Sequence, residues 1–186
     1  MTTYVALLRG VNVGGRTVAM EAVRALFVAA GHEQVATYIQ SGNVIFTNPS
    51  RAVAAISADI EARMTRDLGL EVSVLLRSAK DLSRVVAGNP FLPRADPTKL
   101  HVTFLDRAPE TAAVAGIDQS PFAPDGFVHR GREVYVHCPT GYGRTKLNNN
   151  FFERRLGVEA TTRNWNTVTE VAQRAGRATP ARNARA

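Results

Sequence analysis

The chain has 186 residues, 45% hydrophobic and 21% charged, which suits one large or two small globular domains without covalent staples. No apolar run reaches the ~18 residues of a membrane span, the opening MTTYVALLRG lacks the pattern of a secretory signal, and a single cysteine, Cys138, excludes an internal disulfide and a cysteine-built zinc cage. Formal net charge is +7, but Arg174, Arg177, Arg182 and Arg185 lie in an acid-free tail, so the rest carries +3; the expectation is a cytoplasmic protein with no membrane partner.

Tyr4 to Leu8 is a short apolar run and predicts a buried strand. A glycine-bearing loop, Gly10 to Arg16, follows it. Met20, Val23, Leu26, Phe27 and Ala30 mark one helical face that Gly31 ends. Val35 to Gln40 and Val44 to Phe46 predict two strands joined at Ser41-Gly42 as a hairpin. Val53, Ile56, Ile60, Met64 and Leu68 stripe a second helix, Gly69 stops it, and Val72, Val74 and Leu76 alternate as a fourth strand. The order βαββαβ is the ferredoxin-like arrangement.

The second half echoes the first. Ser78 with Asp81 resembles a capping box ahead of a short helix through Leu82, Val85 and Val86. Beyond a loop with Pro90, Pro93 and Pro97, the residues Leu100, Val102 and Phe104 alternate as a strand, and Pro109 to Ile117 suggests a short helix. Phe127 to His129 and Val134 to Cys138 pair as a second hairpin around Arg130-Gly131-Arg132. Leu147, Phe151, Phe152 and Leu156 predict a helix capped by Thr145 and stopped by Gly157, and Trp165, Val168, Val171, Ala172 and Ala175 predict a last one. The closing strand of this half is expected to be missing or very short, near Thr161 to Arg163. The reading is an α+β fold of two ferredoxin-like-related subdomains packed together, residues 1–77 and 78–175, followed by a disordered basic tail, 176–186.

Four loops carry chemistry-bearing residues. In L-R-G-V-N-V-G-G-R, Leu8 to Arg16, the glycines Gly10, Gly14 and Gly15 leave backbone N–H groups open near a helix start, a geometry that suits an anion. Arg9 and Arg16 would add charge-assisted hydrogen bonds, and Asn12 a donor and an acceptor; a tight turn with solvated arginines is the plain alternative. The spacing fits neither the P-loop nor the dinucleotide fingerprint. In Y-I-Q-S-G-N, Tyr38 to Asn43, the residues Gln40, Ser41 and Asn43 could face a ligand or simply make a turn. In G-Y-G-R-T-K-L-N, Gly141 to Asn148, Arg144 and Lys146 precede a helix, where cations oppose the macrodipole unless an anion lies between them. In T-T-R-N-W-N-T-V, Thr161 to Val168, Arg163 precedes a helix that Asn164 or Asn166 caps, and Trp165 closes the core or stacks on a ring. His101, His129 and His137 lie on second-half strands without a ligand-spaced partner, so no metal is expected.

Y-V-A-L-L-R-G-V-N-V-G-G, Y-I-Q-S-G-N-V-I-F and K-L-N-N-N-F-F-E-R-R-L-G with T-T-R-N-W-N-T-V resemble, in order, the motifs of one family over Thr3 to Ala175. It is the bacterial domain-of-unknown-function family numbered sixteen-ninety-seven. The resemblance implies a two-subdomain α+β fold and no established activity, substrate or cofactor. The motifs match at Arg9, Gly10, Asn12, Gly14, Gly15, Gln40, Ser41, Gly42, Asn43, Lys146, Arg163, Asn164 and Trp165.

Three functions fit the residues. The first is a site, catalytic or not, for a small phosphorylated or other anionic ligand in an inter-subdomain cleft, bound by Arg9, Asn12, Gly14, Gly15, Gln40, Ser41, Asn43, Lys146, Arg163 and Asn164. No acid–base pair is in view, so no reaction class and no cofactor follows. The second is a nucleic-acid-binding module: the βαββαβ order is that of RNA recognition motifs, but their aromatic signature is absent. The third is an assembly protein pairing through a sheet with one uncovered face.

Overall fold

The computed structural model describes residues 1–12 and 17–178. The chain divides into two compact units, Met1–Arg84 joined by the segment from Val171 on, and Val85–Glu170. Among the described residues no helix is long and apolar enough to cross a membrane.

In the first unit β1 (Thr2–Leu8), α1 (Met20–Ala29), β2 (Glu33–Tyr38), β3 (Asn43–Asn48), α2 (Val53–Leu68) and β4 (Val74–Ser78) follow one another. The sheet runs β2-β3-β1-β4 with every pair antiparallel, the ferredoxin-like topology expected from the βαββαβ order. Both helical stripes point into one core. Met20, Val23, Leu26 and Phe27 of α1 and Ile56, Ile60 and Met64 of α2 pack with Tyr4, Ala6, Leu8, Val44, Phe46, Val74 and Leu76. Phe27 and Phe46 meet edge-on at 5.3 Å, the geometry the ring quadrupole favours. Gly69 ends α2 in the left-handed region (φ +65°), with Leu70 N donating to Met64 O at 3.1 Å. The other sheet face carries Val5, Leu7, Ile45, Leu75 and Arg77, each at most 3% exposed.

Helix α3 (Ala79–Ala87) follows β4. Its capping box forms as read: Asp81 N donates to Ser78 Oγ at 3.1 Å, and Ser78 N donates back to Asp81 Oδ2 at 3.1 Å. The second unit then holds β5 (Leu100–Leu105), α4 (Thr111–Ala115), β6 (Gly126–Arg130), β7 (Glu133–His137), α5 (Asn149–Leu156) and β8 (Ala160–Asn164), in the order β6-β7-β5-β8. This is the same topology a second time. The closing strand, expected to be missing or very short near Thr161 to Arg163, is a short one there: β8 pairs with β5 along five residues, Leu105↔Ala160 to His101↔Asn164. Its T-T-R-N run lacks the apolar alternation that marks a half-buried strand, yet threonine fits a pleated surface well. The core here gathers Leu105, Phe127, Val134, Val136, Leu147, Phe152 and Leu156.

Three boundaries differ from expectation. The cap of α5 is Asn148, whose side chain accepts from Phe151 N at 3.1 Å; Thr145, three residues earlier, instead accepts from Leu147 N at 3.1 Å. Strand β2 stops at Tyr38 rather than Gln40, because Ile39 turns to φ +48°. Helix α6 (Trp165–Ala178) continues through residues 176–178, where the composition predicts a disordered tail; alanine and arginine are good helix formers, and Ala175 is buried. Residues 179–186 lie outside the described residues.

A glycine contact at the end of β1 is tested by substitution. Gly42 has φ +72°, and a Cβ there would meet Leu8 Cβ at 2.9 Å and Val11 Cβ at 3.3 Å. Gly131 in the β6–β7 turn has φ +62° with nothing within 4 Å. Gly131→Ala should cost only the left-handed strain, about 1–2 kcal/mol, and Gly42→Ala should cost measurably more because strain and overlap combine. Urea midpoints check the order; equal losses would show that the contact relaxes freely.

Candidate functional site

The first two sequence loops meet at one corner of the first unit. Leu8 N donates to Gly42 O at 2.8 Å as β1 ends, and Arg9 N donates to Ser73 O at 2.9 Å. Asn12 then sits in the left-handed region at φ 56°, which asparagine tolerates. Its amide closes the loop: Val18 N donates to Oδ1 at 2.7 Å, and Nδ2 donates to Val18 O at 3.2 Å and to Gln40 O at 2.7 Å. One side chain thus fixes where the loop leaves and returns, and ties it to the hairpin turn. Asn43, fully buried, does the same inside the turn, with Nδ2 donating to Tyr38 O at 3.1 Å and to Ser41 Oγ at 2.9 Å. The Arg174 guanidinium of α6 lies over the Tyr38 ring, 4.6 Å from its centre.

The third and fourth loops meet in the second unit. Tyr142 stacks on His101 with centroids 4.3 Å apart. Thr162 shares a 2.7 Å hydrogen bond with Thr103 and donates to Asn149 Oδ1 at 2.6 Å, so β5, β8 and the start of α5 are joined by one polar chain. Burial raises the Tyr142 pKa, partly offset by Thr162, and lowers that of His101, partly offset by the Lys99 carbonyl. Arg163 donates to Thr161 Oγ1 at 2.8 Å and to Thr162 O at 2.9 Å. Burial pushes it down to about 10, which leaves it charged at neutral pH. Cys138 is buried and pushed up to about 11, so its thiol is inert at neutral pH.

Of the residues singled out in the sequence, Arg9, Asn12, Gln40, Ser41 and Asn43 therefore share the first corner, while Lys146, Arg163 and Asn164 belong to the second unit. Lys146 is exposed, Arg163 buried, and Asn164 caps α6, accepting from Thr167 N at 2.8 Å. Gly14, Gly15 and Arg16 lie outside the described residues. Sequence reasoning missed Arg174, grouped with the tail, the Tyr142–His101 stack and the Thr103–Thr162–Asn149 chain. Tyr142 lay inside a loop already marked, but its partners come from distant strands. The strand histidines divide: by register His101 and His129 share the face of Val134 and Val136, and His137 lies on the other.

Residues 1–135 match the profile of a family described as "Protein of unknown function (DUF1697)". The motifs from Lys146 on fall beyond that stretch. A solved structure, that of the conserved bacterial protein SP0830 from Streptococcus pneumoniae, is similar with a TM-score of 0.74 at 23% identity, over 95% of this chain and 99% of that one. This likeness shows the fold. No curated protein matches the chain.

Burial holds both His101 and His32 below their ordinary pKa of 6.5. Above that pH both folded and unfolded chains carry neutral rings, and neither histidine penalises folding. As pH falls through 6.5 the unfolded rings bind protons first, so stability must drop until the folded values are reached. Melting temperature should therefore decline between pH 7 and 5, with a shallower slope in the double variant His32→Gln/His101→Gln. An unchanged slope would show that other groups carry the acid response.

Proposed function

Since the chain belongs to the DUF1697 family of proteins of unknown function, which brings no activity with it, we propose from its own residues that it binds a small anionic ligand, phosphorylated or carboxylated, at the corner of residues 9–12 and 40–43. The observation that carries this reading is the Asn12 amide, which joins the loop and the hairpin turn through Val18 and Gln40. With Asn12 and Asn43 engaged by backbone, they act as positioning residues. Arg9, exposed Gln40 and half-buried Ser41 are the contacts proposed for the ligand. Arg9 supplies charge-assisted hydrogen bonds. Gly10, at φ +74° with open space where a Cβ would stand, lets a ligand approach the backbone. Gly14 and Gly15 belong to the same proposal through their place in this loop. In the second unit Lys146, exposed ahead of α5, is the proposed anion contact, while Arg163 and Asn164 support the strand and helix around it.

Binding of RNA on a sheet face, the alternative raised by the βαββαβ order, requires exposed strand aromatics. Tyr4, Phe46, Phe104, Phe127 and Tyr135 are each at most 6% exposed, so the geometry favours the small ligand.

The full chain should be melted with inorganic phosphate, sugar phosphates, nucleotides and small carboxylates. A ligand at about 100 times its Kd stabilises by about 2.7 kcal/mol, which raises Tm by several degrees in a protein of this size. Arg9→Ala should remove that rise while leaving the ligand-free Tm close to the parent. A rise that survives in Arg9→Ala, or none with any of these compounds, overturns the reading.

A further inference from the structure

At the other end of the first sheet, where β1 begins and β4 ends, lies a cavity of about 590 Å³. It is within the usual range for small-molecule sites. Arg51 and Lys80 both line it, from the segment before α2 and the first turn of α3, and both are exposed. Neither has an ion-pair partner among the described residues, and α2 starts there with no acidic residue in its first turn. One carboxylate lines the cavity, that of Asp81, and it is already compensated: Oδ2 accepts from Ser78 N and Oγ, and Oδ1 pairs with Arg84. The apolar wall is Val53 and Ala79, both half-buried. Tyr4, at the floor of the cavity, is buried and its hydroxyl donates to Ser50 O at 3.0 Å.

Two uncompensated cations of the same sign held at one concave surface repel each other, and an anion placed between them removes that cost. The apolar wall adds area that an inorganic ion cannot use. We infer that the cavity bounded by Arg51, Lys80, Val53 and Ala79 is a second binding site, taking a small organic anion whose phosphate or carboxylate meets the two cations and whose apolar group covers Val53 and Ala79. It is separate from the corner at Asn12 and Gln40, since it lies at the start of β1 and the corner at its end.

Calorimetric titration of the full chain with phenyl phosphate tests the site, with inorganic phosphate and phenol as the halves of the probe. Phenyl phosphate should bind more tightly than either half. The double variant Arg51→Ala/Lys80→Ala should lose at least tenfold in affinity at this site, whether made in the parent or in an Arg9→Ala background. Both substituted side chains are exposed, so an unchanged melting temperature should accompany the loss. Absence of phenyl phosphate binding in the Arg9→Ala background, or unchanged affinity there on adding the double substitution, overturns the inference. Because the first corner is read through Arg9 alone and this cavity through Arg51 and Lys80, either proposal can fail without the other.

Discussion

Strand β1 has no solvent face. From Tyr4 to Leu8 every side chain is at most 3% exposed, and the strand is paired on both edges, to β3 and to β4. Its backbone groups must all be met by neighbours and its side chains must all be apolar or bonded. Polar chemistry is therefore confined to the strand's ends. Strand β5, central in the second sheet, buries Leu100, Val102, Phe104 and Leu105 to at most 1% exposure, and its one fully buried hydroxyl, that of Thr103, is bonded to Thr162. Here the fold, rather than any single residue, decides that binding groups sit on the loops.

That confinement explains why so much of the loop chemistry turns out to be architectural. Asn12, Asn43, Asn148 and Asn164 all use their amides on backbone groups: closing a loop, ordering a turn, and capping two helices. Asparagine suits each place, since a short amide mimics a peptide group and tolerates left-handed backbone. A motif rich in asparagine and glycine can therefore look like a ligand site and be, in part, the scaffold that holds one open. The residues left to face outward are the long or hydroxylic ones, among them Gln40, Ser41 and Lys146.

Much of the fold was legible because its signals are local. The stripes of α1 and α2, the glycine stops at Gly69 and Gly157, and the Ser78–Asp81 box each depend on residues within a turn or two. What escaped depends on pairing at long range. Thr161 to Asn164 becomes a strand only because β5 offers an edge, and nothing in T-T-R-N alternates as an apolar strand does. His101 and Tyr142 stack because a strand and a distant loop are folded together. Arg174 read as part of a solvated tail, but Tyr38 provides a ring face for its guanidinium, and the helix stripe carries on to Ala175. Gln40, odd in an apolar strand, is outside the strand because Ile39 leaves it.

The last helix begins in one unit and finishes in the other: α6 starts at Trp165, and from Val171 it is grouped with the first unit. The first unit is thus discontinuous along the chain. On a ribosome its sheet can form early, since β1 to β4 all precede Arg84, yet the segment that completes it is made only after the second unit, Val85–Glu170. Maturation of the first unit must wait for the second to be synthesised, which raises the mean sequence separation of its contacts and slows its final ordering. A fragment ending after α3 would hold the whole first sheet and still lack part of its own unit.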